Sequence, residues 1–286
     1  MSGASIRDVW MAATERLEAA EIADARFETE VLLRHYSDRS RAKFYAHLED
    51  VLEAETLARF ESALARRLQR EPVAYITGHR EFYKLDIHVT PDVLIPRPES
   101  ELLVETALGH LREQRVRRAR IVDVGTGSGA IGLAILRGRR DARLLGVDVS
   151  AAALRVAQEN AQRLTPRRWH DWVQGDLLTP VRGPVECVVA NLPYVPAARV
   201  PQLAPEIHRY EPRLAVTPGT VGSELILRLV TQLGTRLAPG GIAVLEIDPE
   251  LADEVSAAAR LLVGLAEVEV LDDLAGDARA VKIVAG

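Results

Sequence analysis

The run Ile121-Val122-Asp123-Val124, followed at once by Gly125-Thr126-Gly127-Ser128-Gly129, constrains the fold of this chain more than any other segment. Four residues rich in branched apolar side chains read as a short buried strand. A glycine-rich turn from there into an apolar helical run is the junction of a strand–helix unit. The pattern then recurs. Helices are expected at 101–111, from 130 to about 137, at 151–164 and at 223–237. Strands are expected at 121–124, 143–147, 172–173, 185–190 and 242–247, with two more near 268–271 and 281–284. Such alternation gives an α/β fold with a mainly parallel sheet and helices on both faces. The last two strands lie close in sequence and are expected to close the sheet as an antiparallel hairpin.

Upstream the period changes. Ile6, Val9, Trp10, Ala13, Leu17 and Ala20 recur at helical spacing, as do Leu52, Leu57, Phe60, Leu64 and Leu68. Residues 1–72 are therefore expected to form a small helical bundle that docks a substrate, with Ser2 or Ser5 as its first cap. Residues 73–97 are β-rich around Tyr75-Ile76-Thr77, Glu81-Phe82-Tyr83 and Leu85-Asp86-Ile87, and are punctuated by Gly78, Pro91 and Pro96. They suggest a β-hairpin linker, leaving 98–286 as the α/β domain. His79 and His88 in the linker read as surface or packing histidines rather than metal ligands.

Glycines at 125, 127 and 129 let the backbone approach a ligand closely. Asp148, at the end of the next strand, is placed to accept from two ribose hydroxyls. Gly125, Gly127 and Ala130 also satisfy the pattern used for nicotinamide dinucleotides, so the loop alone does not separate cofactors. The rest of the sheet does. Asp176, after the third strand, is placed to accept from an adenine amino group, and Asn191 closes the fourth. Nothing in the chain suggests a hydride-transfer acid. A nucleoside that ends in a reactive methyl, S-adenosyl-L-methionine, fits these strand ends better.

Asn191-Leu192-Pro193-Tyr194 follows the apolar run Val185-Glu186-Cys187-Val188-Val189-Ala190. It places an amide side chain and a backbone carbonyl at the sheet edge where ligands of open α/β sheets bind. Together they can grip both hydrogens of a planar NH2 group, as methylation of an amide or an exocyclic amine requires. Cys187, the single cysteine, reads as a small buried hydrophobe.

These motifs resemble the HemK/PrmC family, protein-(glutamine-N5) methyltransferases that modify peptide chain release factors. The resemblance covers nearly the whole chain. It rests on Tyr75-Ile76-Thr77-Gly78-His79-Arg80-Glu81-Phe82-Tyr83, on Leu94-Ile95-Pro96-Arg97-Pro98-Glu99-Ser100-Glu101, and on Asp123-Val124 with the glycine loop. The Asn-x-Pro-Tyr tetrapeptide and Tyr210-Glu211-Pro212 with Gly219 complete it. The resemblance implies a seven-stranded, Rossmann-like class I methyltransferase sheet. It implies that Gly125, Thr126, Gly127, Ser128, Gly129 and Asp148 hold the cofactor, with Leu177 at the adenine-packing position. Asn191, Leu192, Pro193 and Tyr194 would hold the substrate glutamine, Asn191 also contributing to the cofactor site and Tyr194 serving as a wall or as a core aromatic beneath the loop.

Two positions depart from the family pattern. Leu192 stands where a proline is usual, which keeps the carbonyl but loses a fixed φ. Glu246-Ile247-Asp248-Pro249-Glu250 lacks a usual glycine and glutamine and is expected to lie away from the reacting atoms. Asn-Leu-Pro-Tyr is also the form found in adenine-N6 dimethyltransferases of ribosomal RNA. Against nucleic acid, the chain has a net charge of -5 and aromatics at 5%, where a flipped base needs stacking and a basic track. The five arginines between 112 and 120 read as a solvated helix end. A non-catalytic cofactor-binding protein is the remaining alternative, with the glycine loop, Asp148 and Asn191 intact against it. The expected partner is a release factor, with no membrane, no direct nucleic acid and no metal. The expected compartment is the cytoplasm.

Overall fold

The computed structural model describes residues 4–263 and 267–286. Two compact units emerge, one of residues 1–79 with 204–210 and one of 80–203 with 211–286.

The first unit is helical: α1 (Ile6–Ala19), α2 (Ala25–Tyr36), α3 (Arg41–Ala46), α4 (Ala54–Leu68) and α5 (Val73–Thr77), joined by the returning helix Pro205–Tyr210. The apolar stripe foreseen on α1 packs with Leu32 and Leu33 of α2 and with Phe60 and Leu64 of α4. Two buried hydroxyls within it satisfy each other: those of Thr14 and Thr29 meet at 2.9 Å between α1 and α2. Arg67 is buried and reaches Glu28 at 2.6 Å and Glu206 at 2.9 Å, which ties the returning helix in.

Ser5 caps α1 reciprocally. Its hydroxyl accepts from the Asp8 N–H, and the Asp8 carboxylate accepts from the Ser5 N–H. Ser5→Ala removes one half of that box and is expected to cost about 1 kcal/mol in urea unfolding. The other expected cap, Ser2, lies outside the described residues.

The β-rich reading of Tyr75-Ile76-Thr77 is corrected: these residues form α5. Pro72 supplies the N-cap and Gly78, at φ +77°, ends the helix in the left-handed region. Burial of Ala74, Tyr75 and Ile76 outweighs their strand propensity. The hairpin itself begins later, as β1 (His79–Phe82) and β2 (Leu85–His88). Its two turn residues, Tyr83 and Lys84, both have positive φ, as a two-residue hairpin requires.

The second unit continues with α6 (Glu101–Glu113), β3 (Arg120–Val124), α7 (Ala130–Gly138), β4 (Arg143–Asp148), α8 (Ala151–Leu164), β5 (Trp169–Gln174) and β6 (Val185–Ala190). After α9, the returning helix, come α10 (Arg213–Val216), α11 (Glu224–Leu233), β7 (Leu237–Glu246), α12 (Ala252–Leu262), β8 (Glu267–Asp272) and β9 (Ala278–Val284). The sheet has seven strands in the order β5-β4-β3-β6-β7-β9-β8. β5, β4, β3, β6 and β7 run parallel, and β9 is antiparallel to both β7 and β8, as the closing hairpin predicts. The order reverses at β3, so the crevice for a ligand opens at the carboxyl ends of β3, β4 and β6.

Burial of both sheet faces explains the near-continuous apolar strands β3 and β6. Val188, Ala190 and Leu245 form one core with Ile226, Leu229 and Val230 of α11 and with Val255 and Ala259 of α12. Cys187 sits in β6, fully buried, and desolvation raises its thiol pKa to about 12, so it packs as a hydrophobe. Gly146 in β4 has a packing reason: a Cβ there would stand 2.3 Å from the Trp172 ring. The hairpin is held against α8 by Asn160. Its amide exchanges two 2.8 Å hydrogen bonds with the His88 backbone and donates to the Ser128 carbonyl at 3.0 Å.

Candidate active site

The cleft at the carboxyl ends of the parallel strands is built from separate pieces of chain. Phe82 and residues from Asp92 to Ser100 form one side. The glycine loop, Asp148 and Asp176-Leu177 form the floor, Asn191-Leu192-Pro193 the inner end, and Pro212, Leu214, Ala215 and Leu225 the far side.

The floor is pinned from below. Asp123, at the end of β3, is fully buried and accepts from the Thr126 hydroxyl at 2.7 Å and from the Gly132 N–H at 3.0 Å. Desolvation lifts its pKa to about 6 against those two hydrogen bonds. The Thr126 side chain is thus turned inward, and what its residue offers the cleft is backbone. Gly125 and Gly127 have positive φ, which only glycine adopts readily. A Cβ at Gly125 would also come within 2.9 Å of Leu192 Cδ2. Leu192 therefore fills the core beneath the loop and joins it to the tetrapeptide.

Asp148 is gripped by the loop it follows. One carboxylate oxygen accepts from the Gly127 N–H at 2.9 Å and the other from the Ser150 N–H at 2.9 Å. Its pKa is raised by desolvation, partly offset by these backbone donors. A carboxylate held this way still has lone pairs for two ribose hydroxyls. Asp176 lies in the turn after β5 and lines the cleft, but its carboxylate is engaged by the Arg228 guanidinium. Leu177 is buried at the cleft floor with φ +52°.

The inner end carries the tetrapeptide. Asn191 Nδ2 donates to the Ser100 hydroxyl at 3.0 Å. Among the described residues neither Asn191 Oδ1 nor the Leu192 carbonyl receives a hydrogen bond. Two acceptors are left together at the end of β6. Tyr194 is not among the cleft-lining residues. Desolvation and the neighbouring Glu246 charge raise its pKa to about 12, so it stays a neutral phenol, as a core aromatic does. Gly129 is likewise absent from the lining, and a Cβ there would crowd Leu133, Ala157 and Trp172.

Three contributors were not singled out in the sequence. Ser100 donates to Glu246 Oε2 at 2.5 Å, so Glu246 stands one hydroxyl away from Asn191. The segment beginning at Glu246, expected to lie away from the reacting atoms, thus starts beside the tetrapeptide. Arg97 places one nitrogen 2.6 Å from both oxygens of buried Glu211 and anchors the wall that Pro212 begins. Arg97→Met leaves that carboxylate buried and unpaired, and is expected to cost about 3 kcal/mol in urea unfolding. Arg97→Met with Glu211→Leu should recover much of it.

The cleft suits S-adenosylmethionine on its own geometry: a loop open at Gly127, a half-buried strand-end acid, and apolar walls. Residues 8–78 match the PrmC N-terminal domain, and residues 99–208 match the methyltransferase small domain. The release factor glutamine methyltransferase of Moorella thermoacetica is 39% identical over 273 residues, 95% of each chain. The chain belongs to the release factor glutamine methyltransferase family. The member from Bordetella pertussis is 41% identical over 88% of this chain and 92% of its own. Among solved structures, the human Mettl16 catalytic domain in complex with an RNA hairpin aligns with a TM-score of 0.55 at 16% identity, over 83% of this chain and 84% of its own. A Thermus thermophilus 16S rRNA methyltransferase bound to AdoMet and guanosine aligns at 0.53 and 18%, over 73% and 50%. At such identities these two establish the shared fold alone. Family membership fits the seven-stranded order of this sheet, and no described helix is long and apolar enough to cross a membrane.

Proposed function

We propose that this chain transfers a methyl group from S-adenosylmethionine to the side-chain amide nitrogen (N5) of the glutamine in the Gly-Gly-Gln motif of a peptide chain release factor. The observation that carries this is the pair of unclaimed acceptors, Asn191 Oδ1 and the Leu192 carbonyl, at the inner end of the cleft. An amide NH2 has two coplanar hydrogens, and two such acceptors take both.

A glutamine nitrogen is a poor nucleophile because its lone pair is delocalised into the carbonyl. The task of the protein is therefore orientation and exclusion of water more than proton removal. Asn191 Oδ1 and the Leu192 carbonyl hold the plane of the NH2 group and leave its π face directed at the cofactor position. Phe82, Leu94, Pro193 and Leu214 add apolar surface to the cleft. The glycine loop and Asp148 would hold the nucleoside, with Leu177 on the side of its base. S-adenosylmethionine, when bound, supplies an electrophilic methyl on a positively charged sulfur. No base is assigned, because the methylated amide nitrogen is acidic enough to release its surplus proton to water.

The same grip would serve an adenine amine, but base recognition also asks for stacking. Among the described residues, Phe82 is the one aromatic side chain lining the cleft. Labelled-methyl transfer from S-adenosylmethionine, with a release factor and a structured RNA offered in parallel, separates the two. Label entering the release factor supports the proposal. Label entering only the RNA would replace it with the adenine reading.

A further inference from the structure

Glu246 is the last residue of β7, one strand over from Asn191, and is almost fully buried. A carboxylate in such a place costs stability unless something uses it. Its neighbour is Ser100, just before α6, whose hydroxyl lies 2.5 Å from Glu246 Oε2 and 3.0 Å from Asn191 Nδ2. Sequence separations of 91 and 146 residues are spanned by these two contacts, so the chain of three is a product of the fold.

The direction of the hydrogen bonds follows from simple inventory. An ionised carboxylate only accepts, and a serine hydroxyl has one hydrogen. Ser100 must give that hydrogen to Glu246. Its oxygen is then an acceptor toward the other neighbour, and only the NH2 end of the Asn191 amide can supply a donor. Nδ2 therefore faces Ser100, and Oδ1 is the end left for a ligand.

We propose that Glu246, acting through Ser100, is a positioning residue that fixes the Asn191 amide with its oxygen toward the substrate nitrogen. This rests on the reading of Asn191 as the group that holds the substrate amide. Without an obligate acceptor at 246, Ser100 is free to donate to Asn191 Oδ1. The amide then turns over and opposes NH2 to the NH2 of the substrate, donor against donor.

The arrangement also makes the grip sensitive to protonation. Burial lifts the Glu246 pKa to about 7, opposed by the Ser100 hydrogen bond and by the Arg279 charge. Glu99 adds to the upward shift and Arg97 opposes it, while Tyr194 remains a neutral phenol at its pKa of about 12. Once protonated, Glu246 can donate to Ser100, and the constraint on Asn191 is released. Activity should therefore fall as pH drops through about 7.

Two readouts on the full chain test this. The first is the side-chain amide signal of Asn191 in asparagine-labelled protein, identified by its absence from Asn191→Ala. It should titrate with a midpoint near 7 in the wild type and lose that titration in Glu246→Gln. The second is kcat against pH. Glu246→Gln and Ser100→Ala should each lower kcat by about tenfold or more, with KM for the cofactor unchanged and the acid limb flattened. Ser100→Thr, which keeps the hydroxyl, should retain most of the activity. A pH-independent Asn191 signal in the wild type, or wild-type kcat with an unaltered acid limb in Glu246→Gln, would overturn the proposal. The amide titration needs no turnover, so its result stands even if the glutamine reading fails.

Discussion

Asn191→Ala should lower kcat by roughly 30- to 1000-fold, equivalent to about 2–4 kcal/mol in the barrier, while cofactor affinity stays near the wild-type value. The size follows from what is removed. Asn191 Oδ1 is one of two acceptors at the end of β6, and its orientation is set before substrate arrives by the hydrogen bond from Nδ2 to Ser100. A preorganised acceptor contributes through geometry that solvent does not reproduce. With alanine, the Leu192 carbonyl alone holds one hydrogen, and the NH2 plane is free to rotate about that bond. Steady-state kinetics with calorimetry of cofactor binding checks this. Unchanged turnover would remove Asn191 from the chemistry, and lost cofactor binding would move it to the cofactor subsite.

Asp148→Ala should act on the other half of the cleft and raise the cofactor Kd by about 100-fold, roughly 3 kcal/mol for two charge-assisted hydrogen bonds. Two losses add. The ribose hydroxyls lose their acceptor, and the Gly127 and Ser150 N–H groups lose the carboxylate that holds the loop in shape. Asp148→Asn should be milder, since one oxygen remains, though its NH2 now faces a backbone donor. Acidification is expected to weaken binding in the wild type as well. Both oxygens accept at full strength only when the carboxylate is ionised, and burial sets its pKa above that of an exposed aspartate. Affinity is therefore lost as pH falls, and at a higher pH than an unperturbed aspartate would give. Calorimetry across pH for the three proteins reads both effects. A Kd within a few-fold of wild type for Asp148→Ala would take the ribose contact away from this residue.

Much of the fold was legible because its signals are local. The helix Ala151–Leu164 and the strand Val185–Ala190 fall where periodicity places them. So does the turn from β3 into α7, since glycines and branched apolar runs act over a few residues. Boundaries governed by longer contacts were less visible. β7 begins at Leu237, five residues before the apolar run that announces it, because it pairs with β6 from Val185 onward. α11 stops at Leu233, where Gly234 forms the C-cap, rather than running to 237. β5 extends from Trp169, since its whole length pairs with β4 although its own side chains are mixed in polarity. Tyr75-Ile76-Thr77 reads as strand by composition and is helix by virtue of its caps and burial.

The candidate site divides the same way. The glycine loop, Asp148 and the tetrapeptide are each visible as a short motif at a strand end, and the fold brings residues 125–128, Asp148 and residues 191–193 to one cleft, leaving Gly129 and Tyr194 out of its lining. The group that orients Asn191 is not visible so. Ser100 belongs to a stretch that reads as family signature, and Glu246 to one that reads as a departure from it. No spacing rule links either to residue 191. Likewise Arg97 and Glu211 stand 114 positions apart, and only their burial against each other shows that they hold one wall of the cleft.

The most direct measurement is tandem mass spectrometry of a release factor after incubation with this protein and S-adenosylmethionine. One added methyl on the side-chain nitrogen of the Gly-Gly-Gln glutamine, absent when Asn191→Ala replaces the wild type under the same limiting conditions, is the predicted result. A methyl on any other residue, or none while calorimetry shows the cofactor bound, would contradict the account.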